Sequence, residues 1–282
     1  MRYCLSMTTL PHPLENEGFP HALATSALAA ARALPGGTPV FGIAGLQGSG
    51  KSTLARQIAE LGQSQGLRVA VLSIDDAYLT RAQRQRLAAD VHPLLATRGP
   101  PGTHDVGLAC AVLDALRAGE SVRLPRFDKL ADDRAPEREW DRVDERLDLV
   151  IFEGWCLQVP PQDEGELATP LNALERDEDP DARWRRWCNE ALVRDYPALW
   201  ARLDALWFLQ PPGFDIVAAW RWQQERHLHA RDPGRVAMDE AQVRRFIQFF
   251  ERVSRQALRT LPAVADATIA LDENRKPRAW PA

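Results

Sequence analysis

The clearest chemical signal is Gly45-Leu46-Gln47-Gly48-Ser49-Gly50-Lys51-Ser52, followed by Thr53. The spacing is G-x-x-x-x-G-K-[ST]. Glycines at these positions let the backbone curl until successive N–H groups point at one anion. Lys51 then reaches the outer phosphates of a nucleotide, and Ser52 offers its hydroxyl to Mg²⁺. Carboxylates form the second signal. Asp75 and Asp76 follow the apolar run 67–74, and Glu153 follows the apolar run 147–152. Residues at the carboxyl end of a parallel strand face the ligand crevice. Asp75 and Asp76 there suit a base for an acceptor hydroxyl or a metal-water ligand. Helix capping explains them equally well at this point. Glu153 has the Walker-B arrangement, which holds a Mg²⁺ shell beside a phosphate loop.

Composition adds a third signal. The chain has only three lysines, Lys51, Lys129 and Lys276, against 32 arginines. Such a background keeps lysine where a compact ammonium is needed. The phosphate loop explains Lys51, and Lys129 becomes the next candidate. Lys129 lies in the charged run 128–134 with Asp128 and Arg134. His104 sits in the turn-rich loop 97–105, where a structural role is the simplest reading. Asp105 is placed to cap the helix that follows.

These residues need elements to hold them. The run 40–44 reads as a buried strand, and 52–65 as the helix behind the loop, so a helix N-terminus faces the phosphates. Further strands are expected over 67–74, 147–152, 204–210 and 267–271. Helices are expected over 20–34, 106–116, 214–230 and from a capping box at Asp239 and Gln242 to about 258. The proline- and acid-rich stretch 160–183 reads as a surface excursion, and Asp232-Pro233-Gly234 as a turn. The sum is an α/β/α three-layer sandwich of P-loop NTPase type, with a five-stranded, mainly parallel sheet core. Residues 1–37 are expected to form an N-terminal arm and a helix packed on one phosphate-loop domain, 38–282.

At 282 residues with a net charge of −4, the chain lacks the basic excess of a nucleic-acid protein. Four scattered cysteines without a C-x-x-C pair suggest reduced thiols. No run approaches membrane-spanning length, and a cytoplasmic location is the expectation. Neither composition nor motif fixes an oligomeric state.

Several blocks line up in order. They are Gly45 to Thr53, Ser73-Ile74-Asp75-Asp76-Ala77-Tyr78-Leu79-Thr80 and Arg98-Gly99-Pro100-Pro101-Gly102-Thr103-His104-Asp105. Then come Pro125-Arg126-Phe127-Asp128-Lys129, Asp133-Arg134-Ala135-Pro136, Ile151-Phe152-Glu153-Gly154-Trp155, Trp220 to Glu225 and Leu271-Asp272-Glu273-Asn274. Together they resemble the plant-type D-glycerate 3-kinase family, whose fold is similar to uridine kinase, pantothenate kinase and phosphoribulokinase. The resemblance implies ATP and Mg²⁺, and a small hydroxy acid as acceptor. It maps the acceptor base to Asp75, the Walker-B carboxylate to Glu153, and lid arginines to Arg221 and Arg226. Gly45, Gln47, Gly48, Ser49, Gly50, Lys51, Ser52 and Thr53 would cradle the nucleotide. Ser52, Glu153 and Asp75 would face the metal. Asp76, Tyr78, His104, Asp128, Lys129 and Arg134 would line the acceptor site, with Lys129 or Arg134 meeting the carboxylate. Ala77 stands where the family usually has an aromatic residue, which implies a roomier acceptor pocket. The alternatives are another small alcohol (pantothenate or a nucleoside) and an ATP binder without turnover. No N-K-x-D guanine signature is present.

Overall fold

A computed structural model describes residues 18–231 and 238–278. Its strands are β1 (Val40–Gly45), β2 (Val69–Ser73), β3 (Val122–Leu124), β4 (Phe127–Asp128), β5 (Asp133–Arg134), β6 (Asp141–Val143), β7 (Leu149–Gly154), β8 (Ala205–Gln210) and β9 (Ala267–Ala270). The helices are α1 (His21–Arg32), α2 (Lys51–Ser64), α3 (Arg81–Asp90), α4 (Val106–Ala118), α5 (Glu164–Leu167), α6 (Ala173–Glu178), α7 (Arg183–Arg194), α8 (Tyr196–Trp200), α9 (Ile216–Arg231) and α10 (Glu240–Val264). The expected irregular arm before residue 18 and the turn at Asp232-Pro233-Gly234 lie outside the described residues.

β1 and β7 bury every residue. Continuous burial is what a parallel strand covered on both faces requires. The main sheet has five strands in the order β2-β7-β1-β8-β9, all pairs parallel. Side chains alternate between its faces. Val40, Ala44, Leu72, Val150, Phe152 and Phe208 face one core, with α4, α7 and α10 over it. Phe41, Ile43, Val69, Ile151, Trp207 and Leu209 face the other, with α1 and α2 over that. α1 contributes Leu23, Ala27, Leu28 and Ala31 to the second core. β3–β6 and β4–β5 form two small antiparallel pairs beside the sheet. No described helix is long and apolar enough to cross a membrane. Cys110, Cys156 and Cys188 are free and buried.

Two readings change. α3 has no apolar stripe, and among its residues only Arg84 is buried, so hydrophobic periodicity gives it no signal. Its capping box, Thr80 with Gln83, was the available cue. The stretch 160–183 is not simply a surface excursion. Glu175 and Asp179 are fully buried and hold two buried arginines, one from α10 and one from the adjacent α7. Arg252 of α10 gives Glu175 a two-pronged contact at 2.7 and 2.6 Å, and donates to the carbonyls of Glu166 and Thr169 at 3.0 and 2.8 Å. Arg185 donates to Asp179 Oδ2 at 2.9 Å and to Leu167 O at 2.7 Å. Acidic composition suggested solvent, but each charge here has a guanidinium that satisfies it away from water.

Removing one partner of a buried pair strands the other charge, at a cost of about 3–5 kcal/mol. Glu175→Leu should therefore lower the unfolding free energy in urea by that amount. Asp177→Asn, at the exposed Arg176–Asp177 pair, should leave the midpoint where it is. Equal effects would show that the Glu175–Arg252 contact adds nothing beyond a surface pair.

Candidate active site

The phosphate loop joins β1 to α2. Gly48 and Gly50 have φ of +78° and +92°, the left-handed region that side chains resist. A Cβ on Gly48 would also stand 2.8 Å from the Cβ of Trp220. α2 begins at Lys51 with no side chain capping it, so its first N–H groups are left for an anion. Ser52 Oγ donates to Glu153 Oε1 at 2.8 Å, and Lys51 Nζ lies 4.0 Å from Glu153 Oε2. That second oxygen is buried and makes no hydrogen bond. A hydroxyl and a carboxylate with one unsatisfied hard oxygen are a donor set that fits Mg²⁺. The side-chain polar atoms of Gln47 and Ser49 are likewise buried without hydrogen bonds. Thr53 is buried at the first turn of α2, and Gly45 ends β1.

The sheet order explains why Glu153 lies where it does. β7 runs between β1 and β2, and Glu153 pairs with Ile43 on one side and Ser73 on the other. Glu153 therefore lies inside the strand, not after it, with its partner Ile43 two residues before Gly45 and its partner Ser73 one residue before the turn carrying Asp75. That turn is a short 3₁₀ helix, Ile74–Ala77, capped by Ser73.

Asp75 accepts two bonds, from Tyr78 OH at 2.7 Å and from Lys129 Nζ at 2.8 Å. Burial would raise its pKa. Lys129, Lys51 and the Tyr78 hydroxyl outweigh that and hold the carboxyl well below the usual range. Asp76 faces Arg126 Nη1 and the Phe127 amide, both at 3.3 Å. Burial wins here, and with Asp75 adjacent the carboxyl is pushed up to about 6. The neighbouring acids are thus split by environment, one held firmly charged and one raised to about 6. Lys129 reaches Asp75 from the β4–β5 hairpin with its side chain half exposed. Asp128 does not point at Asp75's partners. It accepts from the amides of Leu130 and Ala131 at 2.8 and 3.1 Å and shapes the hairpin turn.

Behind Tyr78 lies a buried polar stack. His104 stacks on the Tyr78 ring at 4.6 Å, and its Nδ1 meets Tyr196 OH at 2.5 Å. Burial pulls His104 down to about 4, against the nearby Asp75 charge, so the ring is neutral at physiological pH. Arg134 spends Nε and Nη2 on the Tyr78 carbonyl, at 3.2 and 2.8 Å, and Nη2 also meets Asp105 at 3.0 Å. Ala77 is buried in the main core beneath this turn, so its small side chain belongs to the packing.

The two arginines expected over the nucleotide part company. Arg221 pairs with the buried Glu225, donates to Gln224 at 3.1 Å and lies against the ring of Phe246 of α10. Arg226 is exposed. Arg275 was not singled out in the sequence. It donates from Nε to the Gly48 carbonyl at 2.6 Å and from Nη1 to Gln223 at 2.9 Å, and stacks on Trp220. The Trp220 indole donates to Glu273 O at 2.8 Å. The turn after β9 thus clamps the phosphate loop onto α9. Arg275 has φ +66°, but its sequence context carries no signal for that.

Residues 13–81, which include the phosphate loop and its flanking strands, match the model of the methylmalonyl Co-A mutase-associated GTPase MeaB. The chain is 33% identical over 267 residues to the uncharacterized kinase mug58 of Schizosaccharomyces pombe, covering 86% of this chain and 91% of that one. It is 29% identical over 260 residues to the chloroplastic D-glycerate 3-kinase of Arabidopsis thaliana, covering 84% of this chain and 53% of that one. The solved D-glycerate 3-kinase of Cryptococcus neoformans var. grubii superposes with a TM-score of 0.74 at 27% identity, over 92% of this chain and 96% of that one.

A phosphate loop on a parallel sheet, with carboxylates at the ends of neighbouring strands, together with these relatives, defines a P-loop kinase. The chain belongs to the kinase family that takes in the S. pombe protein and the D-glycerate 3-kinases.

The neutral His104 has a measurable consequence. Its pKa in the fold lies below the unfolded value of about 6.5, so the unfolded chain binds the extra proton first. Stability is then lost as pH falls from about 6.5 to about 4, by up to about 3 kcal/mol. Asp76 slopes the other way, because its raised pKa favours the fold at low pH. Comparing wild type with His104→Asn cancels Asp76. The stability difference between the two should shrink as pH falls from 7 to 4, and a constant difference would contradict a buried neutral ring.

Proposed function

We propose that the chain transfers the γ-phosphoryl group of ATP to a hydroxyl of a small hydroxy acid, with D-glycerate giving 3-phosphoglycerate. The observation that carries this reading is Asp75, which sits at the end of β2 with its charge fixed by Lys129 and Tyr78. It lies one strand away from the Ser52–Glu153 pair. The family membership and the glycerate kinases among the relatives support the acceptor.

In this reading the N–H groups of Gly48 to Ser52 hold the phosphates, and Lys51 neutralises charge on the β–γ bridge. Ser52 and Glu153 would hold Mg²⁺. When bound, the ion neutralises the β- and γ-phosphate oxygens. Asp75 orients the acceptor hydroxyl and takes its proton as the new P–O bond forms and ADP leaves. A strongly basic Asp75 is not required, because phosphoryl transfer proceeds through a loose transition state and rests on positioning and charge. Arg221, held by Glu225, is the candidate cation of α9, and Arg226 is exposed on the same helix. Acceptor residues lie in the turn, the hairpin and the loop around Tyr78.

The aromatic side chains bear on the nucleoside alternative. Nucleoside recognition calls for an open aromatic face. Tyr78 and Phe127 are 3% and 6% exposed and are packed against each other, His104 and Arg84.

The test is ADP release with Mg-ATP and D-glycerate, beside L-glycerate, pantothenate and uridine. Saturable turnover with D-glycerate and formation of 3-phosphoglycerate is the expected result. Asp75→Asn should then lower kcat by about 10²- to 10⁴-fold, with a smaller change in the KM for ATP. Turnover with pantothenate or uridine instead would keep the kinase and discard the acceptor.

A further inference from the structure

A hydroxy-acid acceptor brings a carboxylate that must meet a fixed cation, and the inference here rests on that acceptor reading. Several cations stand around Asp75, Tyr78 and Phe127, and most are already fixed on protein oxygens. Lys129 is on Asp75. Arg126 divides Nη1 and Nη2 between Asp76 and Asp141 at 3.3 and 2.6 Å. Arg134 holds the Tyr78 carbonyl and Asp105. Arg84 is fully buried. It donates to the carbonyls of Leu79, Ala96 and Asp132 at 3.3, 2.7 and 2.5 Å, with the Asp132 carboxylate a further 3.0 Å contact.

Arg98 differs. Among the described residues its only hydrogen bond runs from Nη1 to Asp132. Nε and Nη2, the side-on fork that matches a carboxylate, are unspent. The side chain is 21% exposed, so the fork is neither sealed nor freely solvated. Its guanidinium lies 5.5 Å from the centre of the Phe127 ring, and Phe127 meets Tyr78 edge-on at 5.1 Å. Tyr78 in turn donates to Asp75. The loop beneath is rigid: Thr103 Oγ1 accepts from the Gly99 amide at 3.0 Å and donates to Pro100 O at 2.7 Å. Gly99 has φ +122°, and a Cβ there would collide with Phe250 at 2.4 Å.

We propose that Arg98 is the carboxylate receptor of the acceptor site, binding the acid through Nε and Nη2 while Asp132 holds the opposite edge of the guanidinium. Lys129 then stays with Asp75 and is not the primary anchor of the acid. Arg98 thereby sets specificity for acids over neutral alcohols.

The test compares wild type with Arg98→Ala, Arg98→Lys and the uncharged polar Arg98→Gln, using D-glycerate and glycerol, which lacks the carboxylate. Loss of a charged hydrogen-bonding pair should raise the KM for D-glycerate about 10- to 100-fold, more than it raises the KM for ATP. The preference for D-glycerate over glycerol should collapse by a similar factor. Arg98→Lys, which keeps charge but loses the fork, should recover only part. Methylguanidinium added to Arg98→Ala should restore part of the lost D-glycerate turnover, which a merely structural role would not allow. Equal losses for both alcohols, or a dominant rise in the KM for ATP, would overturn the assignment. The second outcome would give the guanidinium to a phosphate. Wild type that phosphorylates no carboxylate-bearing alcohol would overturn the acceptor reading and this inference together. D-Glycerate turnover indifferent to Arg98 would overturn this inference alone.

Discussion

The charge on Asp75 is the constraint around which the proposed acceptor half is built. An ionised carboxylate withdrawn from water is costly unless partners replace its hydration. Lys129 and Tyr78 do so, and each needs support of its own. Lys129 arrives on a two-residue-per-strand hairpin too small to hold its own shape. Arg84 of α3 ties that hairpin, through Asp132, to the Ala96 carbonyl that precedes the 97–105 loop, and Arg134 ties it to the Tyr78 carbonyl. Tyr78 is backed by His104, and His104 by Tyr196 at the start of α8. One charge thus specifies contacts among segments far apart in the chain.

The nucleotide half obeys a different constraint, the order of strands. Because β7 lies between β1 and β2, Glu153 is adjacent to the phosphate loop and to the Asp75 turn without a long loop to carry it. The parallel arrangement brings three strand ends to one edge, where the chemistry can be assembled from short connections. β9, at the far end of the sheet, adds the Arg275–Trp220 clamp on Gly48, so the loop is gripped from the side away from Asp75.

Much of this was legible in sequence, for identifiable reasons. Apolar runs ending in Asp75 and Glu153 mark buried parallel strands, since few other structures bury every residue of a short run. The glycine spacing announces the phosphate loop because Gly48 and Gly50 need left-handed backbone. What escaped was long-range polar pairing. Arg84, Arg98, Arg252 and Arg275 look alike in sequence, one buried on carbonyls, one with donors to spare, one on Glu175 and one on the phosphate loop. Their partners lie between 5 and 227 residues away, and no local pattern encodes such a choice. The acidic stretch 160–183 read as solvated because Glu175 is buried by Arg252 of α10, 77 residues on, and Asp179 by Arg185 of the adjacent α7.

The lysine bias carries the clearest physical lesson. Buried arginines here act as planar forks, each satisfying several carbonyl or carboxylate oxygens at once, as Arg84, Arg185 and Arg252 do. A fork of that kind is rigid and suits a contact that never changes. Two of the three lysines instead face the carboxylates of the site, Lys51 near Glu153 and Lys129 on Asp75. An ammonium on a flexible stem is a point charge that can follow an anion without demanding a fixed plane. On the proposed chemistry, the charge beside Lys51 migrates from the γ-phosphoryl group to the leaving oxygen, and Asp75 beside Lys129 passes from charged to neutral. Lysine is kept where the charge moves, and arginine where it stays, which makes the half-exposed Lys129 a working part of the site and the buried arginines its frame.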